Sequence, residues 1–190
     1  MALPGPNEVV SSLFGAVRLL RRDPGGLNNF NLTEDGFWRS FSAILFVVPV
    51  FALADFALRQ DQQLSAMAVM SRKSVTLALQ WMAFVAAMLV LTRALKISHN
   101  YMRFVTVYNW ASVIAVGLVL VPVLLYGLGL LGLHAATFVG FFVLLGLVVY
   151  AWYVAREALE CSGFVAAGVV LLEYLMAITV ERLFGLPQPL

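Results

Sequence analysis

Residues 104–155 read FVTVYNWASVIAVGLVLVPVLLYGLGLLGLHAATFVGFFVLLGLVVYAWYVA, without a single Asp, Glu, Lys or Arg. As one α-helix this run of about 50 residues would measure about 75 Å, more than twice the roughly 30 Å hydrocarbon core of a bilayer. It must therefore turn. Gly127, Gly129 and Gly132, just before His134, mark the place. The stretch is read as two membrane helices, about 104–131 and 135–155, joined by a hairpin.

Three more apolar runs flank this pair, at about 37–58, 75–95 and 163–180. Each approaches or exceeds the roughly 20 residues a helix needs to span. Phe37, Trp38 and Phe41 form an aromatic belt at the start of the first run, where Arg39 can snorkel. The expected fold is an all-α integral membrane bundle of five transmembrane helices with an N-terminal amphipathic surface helix. Residues 1–35 form a cytoplasmic segment and 36–190 the transmembrane domain.

Composition agrees. Of 190 residues, 62% are hydrophobic and 12% charged; the mean hydropathy is +0.93. Soluble domains carry about 25% charged residues. A soluble fold of this length could not hide so much apolar surface, and lipid removes that difficulty. A net charge of +2, with no basic run beyond Arg21-Arg22 and Arg72-Lys73, gives no nucleic-acid signature. One cysteine, Cys161, excludes an internal disulfide and any cysteine-built zinc site. His99 and His134 do not cluster, so no metal or cofactor is expected. Met1 to Glu8 lacks the basic and apolar regions of a secretory signal, so the internal helices are expected to direct insertion.

Residues 7–22 place Val9, Val10, Leu13, Phe14, Val17 and Leu20 at helical spacing, with Glu8, Arg18, Arg21 and Arg22 largely between them. The segment is too short and charged to span. It is expected to lie on the membrane surface or on the protein's own cytoplasmic face. Asp23-Pro24-Gly25-Gly26 ends it, and Thr33 suits the N-cap of the next helix, ahead of Glu34 and Asp35.

Orientation follows from basic residues at the helix ends. A cytoplasmic N-terminus puts Arg18, Arg21, Arg22, Arg39, Arg93, Lys96, Arg103 and Arg156 inside. It puts Arg59, Arg72, Lys73 and Arg182 outside. The two-to-one bias predicts a cytoplasmic N-terminus and external C-terminus. His99 and His134 then lie on opposite sides, which argues against joint chemistry.

Few motifs survive their context. Gly127-x-Gly129-x-x-Gly132 matches a dinucleotide fingerprint by letters, but that motif needs a preceding strand. Here it is a turn. Intramembrane polar residues are more informative. Asp55, near the outer end of the first run, is expected to pair with Arg72 or Lys73. Glu173 lies about 15 Å into the last run, near the midplane, and Gln80 reaches similar depth. A charge there costs at least about 2.5–3.5 kcal/mol. A protonated Glu173 bonded to Gln80, Tyr174 or Thr179 would hold helices together, or would handle protons or cations. Small residues at four-residue spacing, such as Ala111/Ala115 and Ala151/Ala155, allow close helix contact. Arg156 and Glu160 are spaced to pair on one helix face.

The Arg22-Asp23-Pro24 link, followed by the aromatic-led Phe37-Trp38-Arg39-Ser40-Phe41 and five closely spaced apolar runs, resembles the layout of the Ypt-interacting-protein (Yip) domain superfamily, particularly its prokaryotic members. The likeness covers about residues 20–183. The Asp-Leu-Tyr-Gly-Pro type motif of eukaryotic members is absent, so no functional residue carries over. The resemblance implies a non-enzymatic membrane protein acting through partners or lipid, in the plasma (inner) membrane of a prokaryote.

The reading is thus a small non-enzymatic membrane protein acting in membrane organisation, assembly or scaffolding. Its partners are membrane lipids, with a protein partner or second copy in the membrane. Arg18, Arg21, Arg22, Arg93, Lys96 and Arg103 are the candidates for anionic headgroups. The rival is a proton- or cation-linked small-solute transporter or channel built on Glu173.

Overall fold

The computed structural model describes residues 3–50 and 66–184. Among these, every regular element is helical. Helix α1 spans Pro6–Leu20, and a 3-10 turn at Pro24–Asn29 follows it. Helix α2 is the short Glu34–Ser40, capped by Thr33, whose hydroxyl accepts the Gly36 N–H at 3.2 Å. A 3-10 turn at Phe41–Ala43 leads into a helical segment, α3, at 44–50. The long helices are α4 (Ala66–Ala94), α5 (Tyr101–Gly127), α6 (Leu133–Leu159) and α7 (Gly163–Phe184).

Four helical stretches among the described residues are long and apolar enough to cross a membrane: Ser74–Ala94, Ser98–Gly127, Leu133–Leu159 and Gly163–Phe184. The expectation of five spans plus a surface helix is corrected to these four. The first apolar run does not open as one continuous helix, because α2 stops at Ser40 and a tighter turn intervenes. Its remainder, from 51, lies outside the described residues, as do Asp55 and Arg59.

The uncharged stretch turns where its glycines stand. Helix α5 ends at Gly127, Gly129 takes φ +70°, and Gly132 caps α6. The Gly129 backbone conformation is one that side-chain-bearing residues avoid.

In the bundle, α5 packs on α6, α6 on α7 and α7 on α4, while α4 meets α5 more loosely. The outer faces are rich in exposed Phe, Leu and Val, including Phe138, Phe141, Phe142 and Leu145 of α6. Such a continuous apolar exterior suits lipid rather than water.

Helix α1 does not float free. It packs on α5, α6 and the 3-10 turn at Pro24–Asn29, burying Ser12, Gly15, Ala16 and Leu19; Gly15 faces that turn. The Tyr150 hydroxyl donates to Ala16 O at 2.9 Å, and the Tyr153 hydroxyl to Arg22 O at 3.0 Å. The apolar stripe read from sequence is divided between two surroundings: Leu13 packs against the core, whereas Val10 and Phe14 are exposed. The small residues Ser12, Gly15 and Ala16 decide which face docks, because they let backbones approach closely. A Cβ at Gly15 would stand 2.8 Å from Gly26 O. Gly15→Ala is therefore expected to loosen the N-terminal segment by about 1 kcal/mol, read as faster amide exchange over residues 6–30 in detergent.

Candidate functional site

The four long helices enclose a cleft of about 220 Å³ that draws residues from each of them. Gln80 comes from α4, Tyr108 and Ser112 from α5, Tyr150 from α6, and Glu173 and Tyr174 from α7. Ala111, Ala115, Ala151 and Ala177 supply the space, since a larger side chain at these positions would fill it. The alanines noted at helical spacing thus line an opening as well as easing helix contact.

Across this cleft the Tyr108 hydroxyl donates to Glu173 Oε1 at 2.8 Å. Glu173 stands ten residues past Gly163 and eleven before Phe184, so about 15 Å from either end of α7. The expected partners were Gln80, Tyr174 or Thr179. Gln80 and Tyr174 line the same cleft. Thr179 instead donates to Leu175 O, within its own helix. The recorded donor is Tyr108, 65 residues away in sequence. Its ring sits among Phe84, Phe104 and Trp81, with centroids at 5.0, 5.7 and 6.1 Å.

A second polar group lies beside it and was not singled out from sequence. Asn109, fully buried, accepts the Trp81 indole N–H at 2.8 Å and donates to Ser40 Oγ at 2.8 Å; Ser40 in turn donates to Phe37 O at 2.7 Å. This chain joins α4, α5 and α2. The signal available was the polar Tyr108-Asn109 pair inside an otherwise apolar run.

The basic candidates divide. Arg103 caps the end of α6: its Nε donates to Ala158 O at 2.7 Å, Nη2 to Glu157 O at 2.8 Å, and Nη1 to Glu160 Oε1 at 2.7 Å. Asn100 adds a bond to Leu159 O at 2.9 Å. Arg18 is held in its own loop by Asp23 at 2.7 Å and Asn29 at 3.0 Å. These two are engaged by the protein itself. Arg21, Arg22, Arg93 and Lys96 are exposed. Arg39 pairs with Glu8 at 3.1 Å. Arg72, expected beside Asp55, donates to Phe184 O at 3.2 Å. Glu160 takes Arg103, not the Arg156 expected from spacing; Arg156 lies over the Trp152 ring and 4.0 Å from Glu157.

The hydrogen bond from Arg103 holds the Glu160 carboxyl below its usual range. Its contribution is present above the ordinary glutamate pKa, about 4.3, and is lost as pH falls through the lower folded value. Acid unfolding below about pH 4 should thus be less steep in Glu160→Gln than in the parent chain, as measured by unfolding midpoints across that range. Burial pushes the Cys161 thiol up, away from a reactive thiolate.

Among the described residues no group of three or more His, Cys, Asp or Glu is placed to hold a metal ion. No family model, curated protein or solved structure matches this chain.

Proposed function

We propose that the chain is a small polytopic membrane protein, without catalytic chemistry of its own, that organises or assembles partners at a membrane through headgroup contacts and lateral helix faces. The observation that carries this reading is the division of the basic residues. Arg18 and Arg103 are used inside the fold, whereas Arg21, Arg22, Arg93 and Lys96 are exposed and available to anionic headgroups. The exposed α6 face around Phe138, Phe141 and Phe142 offers a lateral contact for a protein partner or a second copy. In this reading the N-terminus is cytoplasmic, and the membrane is the plasma membrane of a prokaryote. The layout resemblance to Yip-domain proteins points the same way and contributes no residue to the argument.

The test uses the full chain in vesicles doped with headgroup-labelled lipid, with its four tryptophans as donors. Anionic lipid should be enriched around the wild type several-fold over neutral lipid, and salt should weaken the effect. The Arg21, Arg22, Arg93 and Lys96 to Gln variant should lose most of the enrichment. Equal enrichment of neutral and anionic lipid around the wild type would overturn the reading.

A second reading rests on the Tyr108–Glu173 pair. A carboxyl at mid-depth, facing a cleft shared with Gln80 and Ser112, suits a proton- or cation-linked path for a small solute. Proton flux into vesicles should then fall to background in Glu173→Gln. Flux equal in the two proteins would reject this mechanism.

A further inference from the structure

On the flank of the bundle, α1 roofs an open groove of about 570 Å³ against α5 and α6. Leu19 and Leu20 form the roof, and Leu118, Phe142 and Gly146 belong to the floor. Arg22 stands in the wall, two residues past the end of α1. The volume lies within the 300–1,000 Å³ of small-molecule sites. The floor residues belong to the membrane-crossing parts of α5 and α6, so the groove opens toward acyl chains.

Three features fit it to a charged lipid. Arg22 is held at φ +60°, an unfavourable backbone state for a residue with a side chain, and its carbonyl accepts the Tyr153 hydroxyl at 3.0 Å. This fixes the start of the arginine side chain at the groove while its guanidinium is exposed. Asp23, the adjacent carboxylate, is occupied by Arg18 at 2.7 Å and the Gly25 N–H at 2.9 Å, and so does not neutralise Arg22. Gly146 leaves the floor low: a Cβ there would meet nothing within 4 Å. An apolar channel with one exposed arginine at its edge matches one acyl chain and one phosphate, since the arginine fork suits phosphate geometry.

We propose that this groove holds one anionic phospholipid per chain, with an acyl chain along Leu118, Phe142 and Gly146 and its phosphate against Arg22. The proposal rests on the lipid-contact reading above and narrows it to one site.

The full chain, extracted in mild detergent from vesicles of equal phosphatidylglycerol and phosphatidylcholine, is examined by native mass spectrometry. The wild type should retain one phosphatidylglycerol. Arg22→Gly, which suits the positive φ, should reduce the preference for the anionic lipid about fivefold, the worth of one basic residue at a headgroup; Arg22→Lys should keep most of it. Gly146→Leu should fill the floor and lose the retained lipid of either type; Leu145 also lines the groove, and Leu145→Trp provides a second filling variant should the first fold poorly by helicity. Unchanged retention and preference in the Arg22→Gly and folded filling variants would overturn the proposal, as would a wild type that retains no lipid. Arg93→Gln with Lys96→Gln separates the two ideas: it should weaken general headgroup enrichment and leave the single lipid in place. Retention without general enrichment would keep the groove and reject the broader reading.

Discussion

Arg103→Met should lower the unfolding free energy by about 3 kcal/mol, the largest loss expected from one substitution in this chain. Charge-assisted hydrogen bonds contribute about 1.5–3 kcal/mol each, and buried acceptors left without a partner carry a further penalty. Arg103 makes three such bonds, two of them to the Glu157 and Ala158 carbonyls at the end of α6. The last carbonyls of any helix lack partners within it. Here Arg103 and Asn100 supply three donors from the start of α5, so helix end and neighbour are closed together. Partial solvent access at Arg103, 21% by side chain, keeps the total below the sum of three separate bonds. Arg103→Lys should recover less than half of the loss, because a single ammonium cannot span both carbonyls and the carboxylate. Equilibrium unfolding in mixed micelles measures both. A loss below about 1 kcal/mol would mean that water or detergent caps the helix equally well.

Asn109→Leu should cost about 2 kcal/mol by the same measurement. Side-chain hydrogen bonds between membrane helices average only about 0.6 kcal/mol, so the two bonds alone would account for about 1. The rest comes chiefly from leaving the Trp81 indole N–H without a partner in a dry interior, since Ser40 keeps its bond to Phe37 O. A cycle with Trp81→Phe separates these terms. Once Trp81 no longer presents its N–H, Asn109→Leu should cost clearly less, with a coupling of about 1 kcal/mol. Additive losses would place the stability of this region in packing among Phe84, Phe104 and Trp110 instead.

How legible these features were depended on their range. The hairpin at Gly127–Gly132 was readable because an uncharged run longer than any bilayer must turn, and glycine is the residue that turns cheaply. The depth of Glu173 was readable because helical rise converts residue count into distance. Its donor was not. Counting places Gln80 at a similar depth, but depth leaves the azimuth of each helix open, and α7 and α5 turn Glu173 and Tyr108 toward each other. Asn109 escaped notice for a related reason: in a run read for hydropathy, one amide does not interrupt the pattern. Only its place between Trp81 and Ser40 gives it weight.

By itself, the sequence determined that the chain is helical and built for lipid, where its long apolar stretch turns, and how deep its one acidic mid-span residue lies. Those properties depend on composition, local geometry and the thickness of the solvent, all of which can be counted along the chain. Tertiary structure decided which arginines are occupied and which are exposed. Arg93 closes α4 and Arg103 opens α5, the same residue type ten positions apart, but only Arg103 meets the open carbonyls at the end of α6. It also decided that α1 docks by its small face and roofs a groove. The physical reason is that hydrogen bonds and close packing act over about 3–4 Å, between groups that the chain can place more than a hundred residues apart.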